Sequence, residues 1–177
     1  MNLQQRAAPI ELMLSDVDGV LTDGSVVFDN QGIETKKFHI ADGLGIQLWR
    51  RAGYRFGMIT GRSSHIVRLR AAELGIELVR QGVEDKLAVV QQVVAELGLQ
   101  FQQVCFIGDD LPDLAVVREV GMGVAVADAC EELRRAAHYV TRRAGGRGAV
   151  REAIETILKA QGRWDDFVQK FQGKPEQ

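Results

Sequence analysis

The chain has 177 residues, 46% of them hydrophobic, and a formal net charge of −2 at pH 7. This length fits a single domain with a sizeable core, and the near balance of charges argues against nucleic acid or an anionic membrane as the main partner. No apolar run is long enough for a membrane span and the N-terminal residues lack the apolar core of a signal peptide, so we expect a cytoplasmic protein in which Cys105 and Cys130 stay reduced.

Short apolar runs alternate along the chain with amphipathic segments of helical length. The predicted strands are residues 11–15, 55–60, 78–80, 104–107 and 123–126. The predicted helices are residues 43–52, 64–74, 85–97, 111–120, 130–137 and 149–161. Runs that are apolar throughout are typical of strands buried on both faces, and their alternation with helices predicts right-handed βαβ units. We therefore expect an α/β protein with a doubly wound, Rossmann-like parallel sheet.

Residues 24–40 interrupt this alternation and are predicted to form a projecting β-hairpin. Two short strand-like segments flank residues 29–32, DNQG, which have the composition of a tight turn. The edges of such a hairpin usually need a partner. We expect one domain over residues 1–162, followed by a C-terminal tail, residues 163–177, whose aromatic residues share one apolar stripe.

Acidic and phosphate-binding side chains follow the ends of the predicted strands. The first strand leads into residues 16–18, DVD, the second into residues 60–62, TGR, and the fourth into residues 108–113, GDDLPD. Lys86 begins the helix after the third strand. Ligands of a doubly wound sheet bind at the carboxyl ends of its strands. We therefore expect these side chains to converge on one edge of the sheet.

This set of residues fits chemistry on a phosphoryl group. Clustered carboxylates repel one another unless a cation is present, and oxygen ligands without a Cys/His cluster suit Mg²⁺ rather than zinc. The hydroxyl of Thr60 and the ammonium of Lys86 could bind a phosphoryl group. Asp16 could act as nucleophile and Asp18 as proton donor. A lone DxD is more often a turn or a helix cap, so the prediction depends on the combination.

In this order, the segments DVDGVLTDG, ITGR, DK and GDDxxD resemble the four motifs of the haloacid dehalogenase superfamily of phosphohydrolases. The resemblance covers nearly the whole chain. It implies that Asp16 forms an aspartyl-phosphate, that Asp18 is the general acid and base, and that Thr60 and Lys86 bind the phosphoryl group. It also implies that Mg²⁺ is held by the carboxylates of Asp16 and Asp109 and by the main-chain carbonyl of Asp18.

The same resemblance assigns supporting roles. Asp113 would orient Lys86 or the metal shell, Asp110 would support the site less directly, and Gly61 would contact the phosphoryl group beside Thr60. The aspartate at position 18 favours a phosphatase, because dehalogenases of the superfamily lack that acid.

The spacing of the motifs leaves no room for a cap domain. One helix and one strand already fill the roughly two dozen residues between Thr60 and Lys86, and the hairpin and one helix fill the segment between Asp18 and Thr60. In the capless branch that the chain resembles, four subunits associate through such hairpins, and each active site is completed by a neighbour. We therefore expect a homotetramer.

Three further segments, residues 38–46, 125–129 and 144–152, resemble phosphatases of acidic sugar phosphates within this branch. The resemblance implies an eight-carbon 3-deoxy sugar acid phosphate of lipopolysaccharide synthesis as substrate. Arg62 and Arg70 would bind its carboxylate. We expect Arg70 two helical turns beyond Arg62 on the same side of one helix, and the resemblance implies that Arg70 reaches the site across a subunit interface.

The Gly-Gly-Arg-Gly run within residues 144–152 has two interpretations. It is either a flexible basic segment that closes over an anionic substrate or a loop and N-cap before the last helix. Two alternative functions also stay open. One is a phosphatase of another 2-keto-3-deoxy sugar acid phosphate, such as a nononate 9-phosphate. The other is a non-catalytic assembly module of the same fold, against which the complete set of motif residues argues.

Overall fold

The computed structural model describes residues 1–173 and consists of one parallel sheet, a separate hairpin and helices around the sheet. The strands are β1 Leu12–Ser15, β2 Val27–Phe28, β3 Glu34–Thr35, β4 Arg55–Ile59, β5 Leu78–Arg80, β6 Val104–Gly108, β7 Met122–Ala125 and β8 Tyr139–Val140. The helices are α1 Leu3–Ala7, α2 Ile40–Arg51, α3 His65–Glu73, α4 Lys86–Glu96, α5 Leu114–Glu119, α6 Glu131–Ala136, α7 Ala149–Ala160 and α8 Trp164–Phe171, with 3₁₀ turns at Phe101–Gln103 and Leu111–Asp113.

The main sheet has the strand order β5-β4-β1-β6-β7-β8, and all neighbouring strands are parallel. The central strand β1 is buried over its whole length. Ser15, its last residue, pairs with Met58 of β4 on one side and with Ile107 of β6 on the other. The strand order reverses at β1, so the loops after β1, β4 and β6 meet at the point where ligands of doubly wound sheets bind.

The expected α/β fold with a doubly wound parallel sheet is confirmed, and most element ends shift by one or two residues. The predicted helix 111–120 is instead a 3₁₀ turn followed by α5. Helix α1 and the last strand, β8, which has only two residues, were not predicted. Within residues 1–173, none of the helices has the length and apolar character that crossing a membrane requires.

The hairpin consists of β2 and β3, which pair in the antiparallel sense. It ends earlier than the predicted residue 40, because Ile40 begins α2. The Nδ1 atom of His39 accepts a hydrogen bond from the amide of Ala41 at 3.2 Å and so caps this helix. The hairpin segment therefore leads directly into α2, and α2 packs against α7 in the helical layer that covers the sheet.

The segment after α7 continues into α8, which lies against α7. The ring of Trp164 is 4.9 Å from the guanidinium of Arg151 and 5.8 Å from the ammonium of Lys159, so both cations face the aromatic ring. Of the predicted tail, residues 174–177 lie outside the described residues.

Candidate active site

The loop after β1 folds into a tight turn that contains both predicted catalytic aspartates. The amides of Val20, Leu21 and Thr22 all donate hydrogen bonds to the carbonyl of Val17, at 3.3, 2.9 and 3.0 Å. Gly19 adopts a φ of +89°, and a Cβ atom at this position would collide with the carboxylate of Asp109. A side chain is therefore excluded at residue 19, and this loop approaches the loop after β6 closely.

A buried cluster of four charged side chains lies where these loops meet. Carboxylate oxygens of Asp16, Asp109 and Asp113 all lie within 4.8 Å of one another. The ammonium of Lys86, whose side chain is 4% exposed, is 3.0 Å from Oδ2 of Asp16 and 2.6 Å from Oδ1 of Asp113. Asp16 and Asp113 therefore share one ammonium with Asp109 beside them, and the ionised cluster would carry an excess of negative charge.

Asp113 holds this cluster together. It is fully buried, and its Oδ1 atom accepts from Lys86. Its Oδ2 atom accepts from the amides of Asp109 and Asp110 at 3.0 and 3.4 Å. Both oxygens are thus engaged within the protein, which fits the expected role of orienting Lys86. Asp110 is exposed and accepts from the amide of Leu111 at 2.8 Å, so it caps the turn.

The electrostatics of the cluster follow from burial. Burial raises the pKa of Asp16 to about 6, although Lys86 opposes this change. Burial, with the nearby carboxylates of Asp16 and Asp113, raises the pKa of Asp109 to about 8. Burial acts to lower the pKa of Lys86, but the two carboxylates beside it outweigh burial, and the net pKa is raised. The carboxylates are therefore costly to ionise together without a further cation.

The oxygen atoms around the cluster fit a hard divalent cation. Oδ1 of Asp16 is buried and has no hydrogen-bond partner among residues 1–173. Unpartnered buried carboxylate oxygens are costly, and a set of oxygen donors with surplus negative charge is what Mg²⁺ requires. The residues that would hold the ion are Asp16 and Asp109, together with the main-chain carbonyl of Asp18.

Thr60 follows β4 at the edge of the same site. Its side chain is buried, and its backbone is fixed by bonds from its amide to Arg80 at 3.0 Å and from the amide of Val83 to its carbonyl at 3.1 Å. The amide of Arg62 donates a hydrogen bond to the Thr60 hydroxyl at 3.4 Å. A hydroxyl and exposed main-chain groups at Gly61 and Arg62 are suited to a phosphoryl oxygen.

The structure does not group Arg62 and Arg70 as expected. Arg62 precedes α3, which begins at His65, so the helical spacing that we expected between the two arginines does not apply. Arg62 pairs with Glu34 of the hairpin at 2.7 Å. Arg70 pairs with Glu73 at 2.7 Å, and its guanidinium lies 5.6 Å from the ring of Phe38.

Lys36 and Glu34 are site residues that the sequence analysis missed. The ammonium of Lys36 contacts Oδ1 of Asp18 and lies 3.5 Å from Glu34. Glu34 also accepts from the hydroxyl of Ser64 at 3.0 Å. The available signal was the alternation in Glu34-Thr35-Lys36, since residues two apart on a strand face the same side.

The Gly-Gly-Arg-Gly run packs against the loop after β1. The amide of Gly146 donates to the carbonyl of Val20 at 2.8 Å, and that of Gly145 donates to Asp128 at 2.9 Å. A Cβ atom at Gly145 would collide with the carbonyl of Gly19. These contacts favour the second interpretation, in which the run is a packed loop that leads into α7 with Gly148 as its N-cap.

The chain belongs to the haloacid dehalogenase-like hydrolases, since the model of that family matches residues 66–154. The 3-deoxy-D-manno-octulosonate 8-phosphate phosphatase of Yersinia pestis is 48% identical over 157 residues, which span 89% of this chain and 84% of that protein. The corresponding protein of Escherichia coli strain K12 is 44% identical over 161 residues, 91% of this chain and 86% of that one.

Solved structures of phosphatases are also similar to this chain. The 3-deoxy-D-manno-octulosonate 8-phosphate phosphatase of Moraxella catarrhalis, crystallised in complex with a magnesium ion, a phosphate ion and a KDO molecule, is 46% identical. It superposes with a TM-score of 0.93 over 95% of this chain and 97% of that chain. The cobalt-bound phosphatase of Haemophilus influenzae is 38% identical, with a TM-score of 0.90 over 95% of this chain and 99% of that chain.

Proposed function

We propose that this protein is a Mg²⁺-dependent phosphatase that hydrolyses 3-deoxy-D-manno-octulosonate 8-phosphate to 3-deoxy-D-manno-octulosonate and phosphate, in the synthesis of lipopolysaccharide sugar. The observation that carries the proposal is the pairing of Lys86 with Asp16 and Asp113, beside an Asp16 oxygen that has no partner within residues 1–173. Relatives that are 48% and 44% identical and bear this activity in their names support the choice of substrate.

In the first half of the reaction the substrate phosphoryl group binds to the Thr60 hydroxyl, the main-chain amide of Gly61 and the Lys86 ammonium. A carboxylate oxygen of Asp16 attacks phosphorus, and the bond from phosphorus to the sugar oxygen breaks. Asp18 donates its proton to the departing sugar oxygen, because an alkoxide is a poor leaving group. The phosphoryl group is then bonded to Asp16.

In the second half Asp18, now a carboxylate, accepts a proton from water as the water attacks the phosphoryl group. Asp16 is released as a carboxylate, and phosphate leaves. Bound Mg²⁺ would neutralise charge on the phosphoryl oxygens and on the carboxylates of Asp16 and Asp109. Lys86 stays in place throughout because Asp113 is bonded to it and to the loop after β6.

Arg62 and Arg70 are our candidates for binding the substrate carboxylate. The Arg62 side chain is 43% exposed and lies next to Thr60 in the chain, so its guanidinium can turn from Glu34 to a bound anion. The Arg70 side chain is 16% exposed and lies beside Phe38 at the base of the hairpin. We propose that it acts on the site of a neighbouring subunit.

The hairpin supports the proposal of a homotetramer, which would be cytoplasmic. Its exposed apolar side chains are Val26, Val27, Phe28 and Ile33, each more than half exposed. A cluster of this kind on a short two-stranded ribbon favours burial against another copy of the chain.

The test is phosphate release from a panel of sugar phosphates that includes the octulosonate 8-phosphate and a nononate 9-phosphate, with Mg²⁺ and with a chelator. We expect a Mg²⁺-dependent preference for the octulosonate 8-phosphate, and Asp16→Asn should abolish turnover with the fold retained. Equal rates on many phosphates would reject the proposed specificity. No release from any substrate would reject the enzyme in favour of an assembly module.

A further inference from the structure

We infer that Lys36, which the hairpin carries, is a positioning residue for Asp18. It fixes one oxygen of the Asp18 carboxylate so that the other stays free to transfer a proton to and from the reacting oxygens. The inference rests on the proposed phosphatase function and deepens it, since it gives the hairpin a part in catalysis within its own subunit.

The two oxygens of Asp18 have different surroundings. Oδ1 is in contact with the ammonium of Lys36. Oδ2 is buried and has no hydrogen-bond partner among residues 1–173. The contact with Lys36 restricts the Asp18 side chain, and Oδ2 has no competing hydrogen bond within the described residues. General acid catalysis requires such restriction, because the acid must be held within hydrogen-bond reach of the leaving oxygen.

Lys36 is unusually well buried for a lysine on a hairpin. Its side chain is 1% exposed, whereas the neighbouring residues Thr35 and Lys37 are exposed. Burying an ammonium is costly, and replacing a buried ion pair with apolar residues is often neutral or stabilising. Stability alone therefore does not account for this lysine, and its only close carboxylates are those of Asp18 and Glu34 within the described chain.

Glu34 fixes the hairpin over the site and so determines where Lys36 lies. Its carboxylate pairs with Arg62 at 2.7 Å and accepts from the Ser64 hydroxyl at 3.0 Å. Both partners belong to the loop that follows Thr60. The hairpin thus spans from the phosphoryl-binding loop to Asp18, and a displacement of about 1 Å at such a site can cost about 100-fold in rate.

The role of Lys36 can be tested through the leaving group. A sugar alkoxide must be protonated as it leaves, whereas a nitrophenolate leaves without a proton. We would measure kcat/KM, which reports the step that forms the phosphorylated Asp16, with 3-deoxy-D-manno-octulosonate 8-phosphate and with p-nitrophenyl phosphate. We expect Lys36→Met to lower kcat/KM for the sugar phosphate by about 10- to 100-fold, within the range that general acid catalysis contributes, and for the nitrophenyl ester by less than about 3-fold.

Three control variants sharpen this test. Lys36→Arg keeps the positive charge and should recover most of the rate on the sugar phosphate. Lys37→Met removes the adjacent exposed lysine and should leave both rates unchanged. In an Asp18→Asn background, Lys36→Met should cause no further loss on the sugar phosphate, because two residues that act as a unit are not additive.

Other results would overturn the inference. An equal loss on both substrates would mean that Lys36 binds the phosphoryl group or supports the fold. Additive losses in the double variant would mean that it acts apart from Asp18, and unchanged rates would mean that it has no role. If the wild-type protein does not hydrolyse the octulosonate 8-phosphate, the proposed substrate fails. The comparison is then made with an alkyl phosphate that the protein does hydrolyse.

Discussion

Asp113 holds Lys86 against the nucleophile: the Lys86 ammonium lies 2.6 Å from Oδ1 of Asp113 and 3.0 Å from Oδ2 of Asp16. Asp113 is fully buried and also accepts from two main-chain amides of the loop after β6. This single side chain therefore links the Lys86 ammonium to the loop that carries Asp109, the proposed metal ligand.

Substitution of Asp113→Asn should reduce both activity and stability. The asparagine keeps the shape but loses the charge, so the buried Lys86 ammonium has only Asp16 as a charged partner. We expect kcat/KM to fall by about 10- to 100-fold, as for residues that orient a ligand of a site. We expect the free energy of unfolding to fall by about 1–3 kcal/mol. Phosphate release and urea unfolding measure the two effects.

Asp166→Asn, on the exposed face of α8, is the control and should change neither the activity nor the stability. Wild-type activity of Asp113→Asn would contradict the assignment.

In the absence of Mg²⁺, the protonation of Asp109 should make the stability of the folded protein depend on pH. The pKa of Asp109 is raised from 3.8 to about 8 by burial and by the neighbouring carboxylates. Between about pH 4 and pH 8 the folded metal-free protein thus retains a proton that the unfolded chain has released. The contribution of Asp109 to stability must therefore decrease as the pH rises through this window.

Mg²⁺ competes with that proton, so its stabilising effect should grow with pH. We expect the rise in Tm on adding Mg²⁺ to be small near about pH 5 and larger near about pH 8. Differential scanning calorimetry with and without Mg²⁺ at several pH values checks this. Asp109→Asn should remove most of the rise at every pH. A Mg²⁺ effect that is the same across the range would contradict the role of Asp109.

Gly19 and Gly53 form a matched pair for testing the close approach of the loops after β1 and β6. Both have a φ of +89°, so alanine is strained at either position. A Cβ atom at Gly19 would collide with Asp109, whereas one at Gly53 would meet nothing within 4 Å. Gly53→Ala should cost about 1–2 kcal/mol of stability and leave kcat/KM unchanged. Gly19→Ala should carry the same strain and also lose most of its Mg²⁺-dependent activity, measured as phosphate release over a Mg²⁺ titration. Equal activities of the two variants would mean that the Asp109 position tolerates displacement.

Placing a charge on the hairpin should dissociate the proposed tetramer. Phe28 is 58% exposed, and burying an aspartate in its place without a partner would be unfavourable. We expect Phe28→Asp to be smaller than wild type in size-exclusion chromatography with light scattering. Phe171→Asp, at an aromatic residue of α8 that is 66% exposed, should keep the wild-type mass. The reverse result would move the interface from the hairpin to α8.

The central part of the site could be predicted from sequence because it depends on local patterns. Asp16, Thr60 and Asp109 each follow an almost entirely apolar strand, and parallel pairing in register brings the ends of such strands together. Asp113 and Lys86 could be assigned only roughly, since their contact joins residues 27 positions apart.

The parts that were missed depend on contacts between distant segments. Lys36 lies over Asp18 because Glu34 accepts hydrogen bonds from Arg62 and Ser64. No periodic pattern in the sequence indicates which part of the protein a hairpin packs against. The expectation that Arg62 and Arg70 lie on one helix was wrong because α3 begins only at His65. The glycines of the Gly-Gly-Arg-Gly run allow it to pack closely against another loop. Glycine content alone suggests a flexible segment and does not reveal such packing.

The packing of Gly145 and Gly146 against the loop after β1 also bears on the order in which the molecule is made. The segment that packs against the turn at Gly19 and Val20 is synthesised long after that turn, because the two are far apart in the sequence. Contacts between such distant segments form late and slowly. A nascent chain that ends before residue 146 can form most of the sheet but lacks the segment that packs against the loop after β1. Such truncated products should therefore fold partially without acquiring phosphatase activity.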